Sequence, residues 1–161
     1  MELGLNSAPS KPPLISVVIP IKNEPSEVAA CLEGIFRQTL RDQLEVIAID
    51  SGSPQVTLDL LAGYPVRLHQ IPPSEFNHGE TRNLGVKLAS GEFVVMTVAD
   101  AVAGNERWLE QMLQHFDDPR VMGVCGQQIV PHDIDKNPLQ WFRPVSKPEW
   151  RLKAIPRLGG D

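Results

Sequence analysis

The sequence predicts an α/β fold with a mainly parallel sheet flanked by helices. Three observations support this class: short apolar runs rich in β-branched residues recur along the chain, segments with apolar residues at helical spacing separate them, and the connections are short. Strands and helices that alternate in this way form right-handed crossover units, which produce parallel sheets.

The predicted strands are the apolar runs. The first run, LISVVIP, is rich in β-branched residues and ends at a proline, which is typical of a strand buried on both faces. The predicted strands cover residues 14–20, 44–50, 66–71, 93–98 and 121–130.

The predicted helices lie between these strands. In the first of them, Val28, Cys31, Leu32 and Ile35 recur at the spacing of one helical face. The predicted helices cover residues 26–38, 56–61, 79–89 and 106–116.

Length and composition exclude several classes of protein. The chain has 161 residues, of which 42% are hydrophobic and 22% charged, and these values suit one soluble domain. A net charge of −5 without a basic run argues against nucleic-acid binding. No run of 18 apolar residues and no signal-peptide pattern occurs, so we expect a cytoplasmic protein without a transmembrane segment, and peripheral membrane association stays open.

Polar residues follow three predicted strands where each strand ends. They are residues 22–24 after the first strand, residues 50–53 after the second and Asp100 after the fourth. Ligands of parallel α/β sheets bind at the carboxyl ends of the strands, so these residues predict a ligand site. The alternative is that each acid is a solvated loop residue or a helix cap. No glycine-rich GxGxxG or GxxxxGK[ST] loop is present, which argues against dinucleotide binding and P-loop chemistry.

Three blocks of sequence resemble a known family. ISVVIPIKNE, LEVIAIDSGS and EFNHGETRNLGVKLASGEFVVMTVADA are similar, in order and spacing, to the nucleotide-sugar half of family 2 glycosyltransferases. FNHGETRN, ADA and GVCGQQIVPHD are most similar to the rhamnosyltransferase-like branch. The resemblance implies a GT-A fold with a Rossmann-like sheet. It also implies an inverting transferase for polysaccharide biosynthesis that moves a sugar, with rhamnose as one option, from a UDP- or dTDP-sugar donor to a saccharide or lipid-linked acceptor.

The resemblance also implies roles for individual residues. The loop that holds the base and ribose would contain Pro20, Lys22, Asn23 and Glu24. Asp50 would recognise the base, with the hydroxyl groups of Ser51 and Ser53 beside it.

Asp100 matches the last acid of the family's DxD-like motif, which implies a Mg²⁺ or Mn²⁺ ion held against the donor's pyrophosphate. Val98 stands where many family members have the first acid of this motif. The alternative is that Asp100 only begins a turn.

Arg82 and Asn83 match a motif that shapes the donor pocket. The alternative is that Asn77 or His78 caps the helix and Arg82 pairs with Glu80 or another acid.

The general base of the reaction has no clear match. The acids after residue 130 are Asp133, Asp135, Glu149 and Asp161, which lie in proline-rich sequence.

The extent of the resemblance predicts the domain organisation. We expect a tail at 1–13, a nucleotide-sugar-binding domain at 14–130, and a proline-rich segment at 131–161 that leads to a missing acceptor-binding part. A noncatalytic nucleotide-sugar-binding module, or an inactive truncated fragment, is the alternative.

Overall fold

Residues 12–22 and 25–126 are described by the computed structural model, and they form a four-stranded parallel sheet with helices on both faces. The strand order is β3-β2-β1-β4, and all three pairs of neighbours are parallel. The strands are β1 (Ile15–Ile21), β2 (Leu44–Asp50), β3 (Val66–Gln70) and β4 (Phe93–Met96).

The described residues also form four α-helices and three short 3₁₀ helices, of which the last α-helix and the last 3₁₀ helix follow β4. The α-helices are α1 (Pro25–Phe36), α2 (Gln55–Ala62), α3 (His78–Leu88) and α4 (Trp108–Leu113). The 3₁₀ helices are Arg41–Gln43, Pro73–Glu75 and Gln114–Asp117. None of the helices in the described part of the chain combines the length and the apolar composition of a membrane-spanning helix.

The core lies on both faces of β1, because every residue of this strand except Pro20 is buried. On one face, α1, α2 and α4 cover alternate residues such as Val17 and Ile19. On the other face, α3 covers Val18 together with Ile47 and Ile49 of β2. Burial on both faces explains why the first two strands read as continuous apolar runs.

The mainly parallel sheet flanked by helices is confirmed, whereas two predicted elements differ. Residues 121–126 of the predicted fifth strand contain no strand, and residues 127–130 lie outside the described part of the chain. Two glycines interrupt residues 121–126 and Met122 is 88% exposed, so this apolar stretch does not pack as a strand does. The last helix begins at Trp108 and is α-helical only to Leu113, after which it continues as a 3₁₀ helix.

The chain divides into two units, Met1–Val124 and Cys125–Asp161. All the helices and strands given above belong to the first unit. In the second unit, the structure describes only the exposed residues Cys125 and Gly126.

Candidate active site

The sheet topology brings the ends of three strands to one edge. β1 lies between β2 and β4, and parallel strands present their carboxyl ends at the same edge. The backbone N–H of Ser51 donates to the carbonyl of Ile21 at 3.0 Å, which joins the ends of β1 and β2. Asp50, Ser51, Lys22 and Asp100 therefore share one edge of the sheet, as ligand-binding residues of α/β sheets do.

The Asp50 carboxylate is the most constrained charge at this edge. It is 2% exposed, its Oδ1 accepts from the Ser53 backbone N–H at 2.9 Å, and its Oδ2 accepts from the Gln70 side-chain amide at 3.3 Å. Burial by itself would raise the pKa of Asp50, but hydrogen bonds from Ser53, Gln70 and Gly52 outweigh it and hold the pKa below its ordinary value. Asp50 is therefore ionised at neutral pH and acts only as a hydrogen-bond acceptor.

The turn after β2 fixes the residues that follow Asp50. Gly52 has a φ of +107°, and a Cβ atom there would lie 2.8 Å from Cγ of Pro73, so only glycine fits. The Ser51 hydroxyl donates to the Ile21 carbonyl at 3.4 Å. The Ser53 hydroxyl helps to lower the pKa of Asp50, although its buried oxygen makes no hydrogen bond of good geometry to the described residues.

The end of β1 is only partly described. Pro20 is half-buried within β1, and Lys22 is exposed directly after it. Asn23 and Glu24, which the sequence also places in this loop, lie outside the described residues.

Asp100 lies in the turn that follows β4. The turn is closed by the N–H of Ala101, which donates to the carbonyl of Val98 at 3.1 Å, and Asp100 is exposed within it. Cys31 of α1 lies beneath this turn, since its thiol donates to the same Val98 carbonyl at 3.5 Å. Burial, and then the charge of Asp100, raise the pKa of Cys31 to about 11, so the thiol stays protonated.

The first turn of α3 lies at the same edge, because a helix that connects parallel strands runs antiparallel to them. Asn77 caps this helix: its Oδ1 accepts from the N–H groups of Gly79 at 2.9 Å and Glu80 at 3.1 Å. Arg82 donates to the carbonyl of His78 at 2.9 Å, and no ion pair with Glu80 is found among the described residues. Asn83 is exposed. The cap therefore occupies two N–H groups of this helix end that would otherwise face a ligand.

Residues 16–154 match the family model described as Glycosyl transferase family 2. The chain belongs to glycosyl transferase family 2. The resemblance that the three sequence blocks indicate is thereby confirmed.

Two curated relatives of this family 2 chain are rhamnosyltransferases. It is 39% identical over 105 residues to the O-antigen chain rhamnosyltransferase WbaN of Salmonella anatum, which covers 65% of this chain and 33% of the relative. It is 34% identical over 127 residues to RfbN of Salmonella typhimurium, another O-antigen chain rhamnosyltransferase, covering 78% of this chain and 40% of the relative. The chain thus spans between a third and two-fifths of the length of these relatives.

The fold of the family 2 chain is GT-A. The mannosyltransferase PcManGT from Pyrobaculum calidifontis, solved in complex with GDP-Man and Mn²⁺, aligns with a TM-score of 0.59 and 28% sequence identity. The alignment covers 70% of this chain and 35% of that structure. The predicted fold class is confirmed in full.

The described part of the family 2 chain offers few metal ligands. No group of three or more His, Cys, Asp or Glu side chains that could hold a metal ion occurs among these residues. Asp100 makes no side-chain hydrogen bond to them either, so its oxygens stay available as hard ligands. One carboxylate with the oxygens of a bound diphosphate and waters suits Mg²⁺ or Mn²⁺, since such ions rarely need a cage made of protein alone.

Gln70 contacts Asp50 at this edge and is not among the residues that the sequence predicts for the site. It is the last residue of β3, it lies opposite Asp50 in the strand register, and it is exposed. The sequence does contain one indication of this position, because β3 ends in a polar residue at the same edge of the sheet as the other strand ends. The contact with Asp50, however, depends on the register between β2 and β3, which the sequence does not show.

Proposed function

We propose that this chain provides the donor site of an inverting glycosyltransferase that uses a UDP- or dTDP-sugar. The observation that carries the proposal is the placement of an ionised Asp50 and an exposed Asp100 after β2 and β4, the strands on either side of β1, in a family 2 chain. Rhamnose is the donor sugar that we favour, because WbaN and RfbN are rhamnosyltransferases. The acceptor in the proposal is a saccharide or a lipid-linked saccharide.

The residues at the strand ends are assigned to different parts of the donor. Pro20, Lys22 and the following Asn23 and Glu24 form the loop beside the nucleoside, and Asp50 with Ser51 and Ser53 lies at the base. Arg82 and Asn83 flank the donor from the second turn of α3. Asp100 would hold the divalent cation, which would supply positive charge that stabilises the diphosphate leaving group.

The proposal assigns no general base. Inversion by direct displacement needs a group that takes the proton from the acceptor hydroxyl, and this is typically worth about 10²- to 10⁴-fold in rate. The acids that the sequence offers for this role, Asp133, Asp135, Glu149 and Asp161, lie outside the described residues.

Calorimetry tests the donor site. We expect the full chain to bind UDP or dTDP more tightly with Mn²⁺ than without it, and Asp100→Asn to remove most of this difference. Asp42→Asn is the matched control, because Asp42 is an exposed acid that precedes β2 at the opposite edge of the sheet. Failure of a folded protein to bind UDP, dTDP or GDP, with or without Mn²⁺, would overturn the proposal.

A noncatalytic nucleotide-sugar-binding module is the second candidate. It is favoured by the DxD-like motif, in which Asp100 is the acid and Val98 stands where many family members have another acid. Incubation of the purified chain with a radiolabelled donor separates the two functions. Release of the sugar to water or to an acceptor excludes the binding module, whereas tight binding without any turnover supports it.

A further inference from the structure

Gln70 is the exposed residue whose side-chain amide donates to the buried Asp50 carboxylate. Asp50 is 2% exposed, and both of its oxygens already accept hydrogen bonds, from Ser53 at 2.9 Å and from Gln70 at 3.3 Å. Gln70 lies at the end of the edge strand β3 and is exposed to solvent. Gln70 is therefore more accessible to a ligand than Asp50 is.

The orientation of this amide is set by its partner. An ionised carboxylate only accepts hydrogen bonds, so the Nε2 group of Gln70 must face Asp50, and a flipped amide would place its oxygen against a negative charge. Nε2 carries two N–H groups, and Asp50 uses one of them. The second N–H is thus held in a fixed direction and has no acceptor among the described residues.

We infer that Gln70 is a base-recognition residue that donates this second N–H to a ring carbonyl of uracil or thymine, with Asp50 as its positioning residue. The inference rests on the proposed donor site and adds to it the group that reads the base. A hydrogen bond to a positioned donor discriminates between ligands, because an analogue that cannot accept it leaves the donor unpaired.

Uracil offers two carbonyl acceptors, at ring positions 2 and 4, and replacing either oxygen by sulfur leaves a much weaker acceptor of similar shape. The probes are therefore UDP, 2-thio-UDP and 4-thio-UDP. The loss of one neutral hydrogen bond corresponds to about 3- to 10-fold in the dissociation constant.

The experiment measures the binding of these three nucleotides to the full chain by calorimetry in the presence of Mn²⁺. We expect the wild type to bind one of the thio analogues about 3- to 10-fold more weakly than UDP. Gln70→Leu should bind UDP and that analogue equally, both at the weaker level. Gln43→Leu should behave as the wild type does, because Gln43 is an exposed glutamine that precedes β2 at the opposite edge.

Thermal unfolding of each variant ensures that the comparison is made on folded protein. Gln70→Met, which keeps the length of the side chain without a donor, replaces Gln70→Leu if the latter is unfolded. Equal binding of all three nucleotides by the wild type, or unchanged discrimination in the Gln70 variants, overturns the role of Gln70 and leaves the donor site intact. Failure of the folded wild type to bind UDP, dTDP or GDP overturns the donor site and this inference together, and if only dTDP binds, the thio analogues of dTDP are the probes.

Discussion

The carboxylate of Asp50 accepts a hydrogen bond from the backbone N–H of Ser53 at 2.9 Å, across the glycine turn that ends β2. The side-chain amide of Gln70, from the neighbouring strand, donates to the other oxygen. These contacts stabilise the charged carboxylate more than the neutral one, so folding and the ionisation of Asp50 are coupled.

Asp50→Asn should destabilise the protein in a pH-dependent way. The folded-state pKa of Asp50 lies below the ordinary value of 3.8, so its contribution to stability is fully present above about pH 4 and is lost as the pH falls through the folded-state pKa. We expect the substitution to lower the free energy of unfolding by about 1–3 kcal/mol at pH 7. Urea unfolding at pH 7 and at lower pH should show the difference shrinking in acid.

Asp59→Asn is the control for this prediction. Asp59 accepts from the amide of Gln55 at 2.8 Å, so it has the same kind of partner, but the pair is exposed on α2. A change of the same size in both variants, or a difference for Asp50→Asn that does not vary with pH, would contradict the coupling.

Gly85→Ala should destabilise the packing of α3 on the sheet. A Cβ atom at Gly85 would overlap Cγ1 of Val18, which is fully buried in β1. Because both atoms lie in a packed core, we expect a loss of about 1–3 kcal/mol in chemical denaturation. Gly104→Ala should change stability by less than about 0.5 kcal/mol, because a Cβ atom there meets nothing within 4 Å.

The double variant Gly85→Ala/Val18→Ala gives a sharper test, since the smaller side chain at residue 18 removes the overlap. The two substitutions together should destabilise less than the sum of their separate effects. Strict additivity would show that the cost of Gly85→Ala does not come from Val18.

Gln38→Leu should destabilise the junction between α1 and α4. The buried amide of Gln38 donates to the carbonyls of Gly34 at 3.0 Å and Asn105 at 2.8 Å. Its oxygen accepts from the N–H of Leu109 at 3.0 Å. Leucine fills the space but leaves these backbone groups unpaired, which should cost about 2–4 kcal/mol in denaturant unfolding.

The exposed Gln43→Leu serves as the comparison for Gln38→Leu and should be nearly neutral. Equal stability of the two variants would show that water replaces the lost hydrogen bonds at residue 38.

The sheet could be predicted because its central strands are buried on both faces. Such strands consist of continuous apolar residues, and Asp50 is conspicuous as the acid that ends one of them. Residues 121–126 are also apolar in part, but an apolar composition does not show whether a partner strand is present. That is the physical reason why the predicted fifth strand is wrong over these residues.

Gln38 and Gln70 could not be predicted because their roles arise from tertiary contacts. The Gln38 amide bonds to backbone groups of Asn105 and Leu109, which are 67 and 71 residues away in the chain. Gln70 meets Asp50 only through the register of β3 against β2. Hydrophobic periodicity identifies elements, but it carries no information about which polar groups face each other across them.

Asn77→Ala should weaken the first turn of α3, whereas Asn77→Asp should not. The Asn77 side chain accepts from the N–H groups of Gly79 and Glu80, and an aspartate accepts in the same way while its charge suits the positive end of the helix. We expect a loss of about 1 kcal/mol for alanine and wild-type stability or slightly more for aspartate, measured by thermal unfolding and by hydrogen exchange of the α3 amides.

Ser74→Ala, in the exposed 3₁₀ helix before Asn77, is the control and should leave both measurements unchanged. Equal destabilisation by alanine and aspartate would show that the side-chain oxygen of residue 77 does not act as the cap. The N–H groups at this end of α3 would then be free to bind an anion at the strand ends.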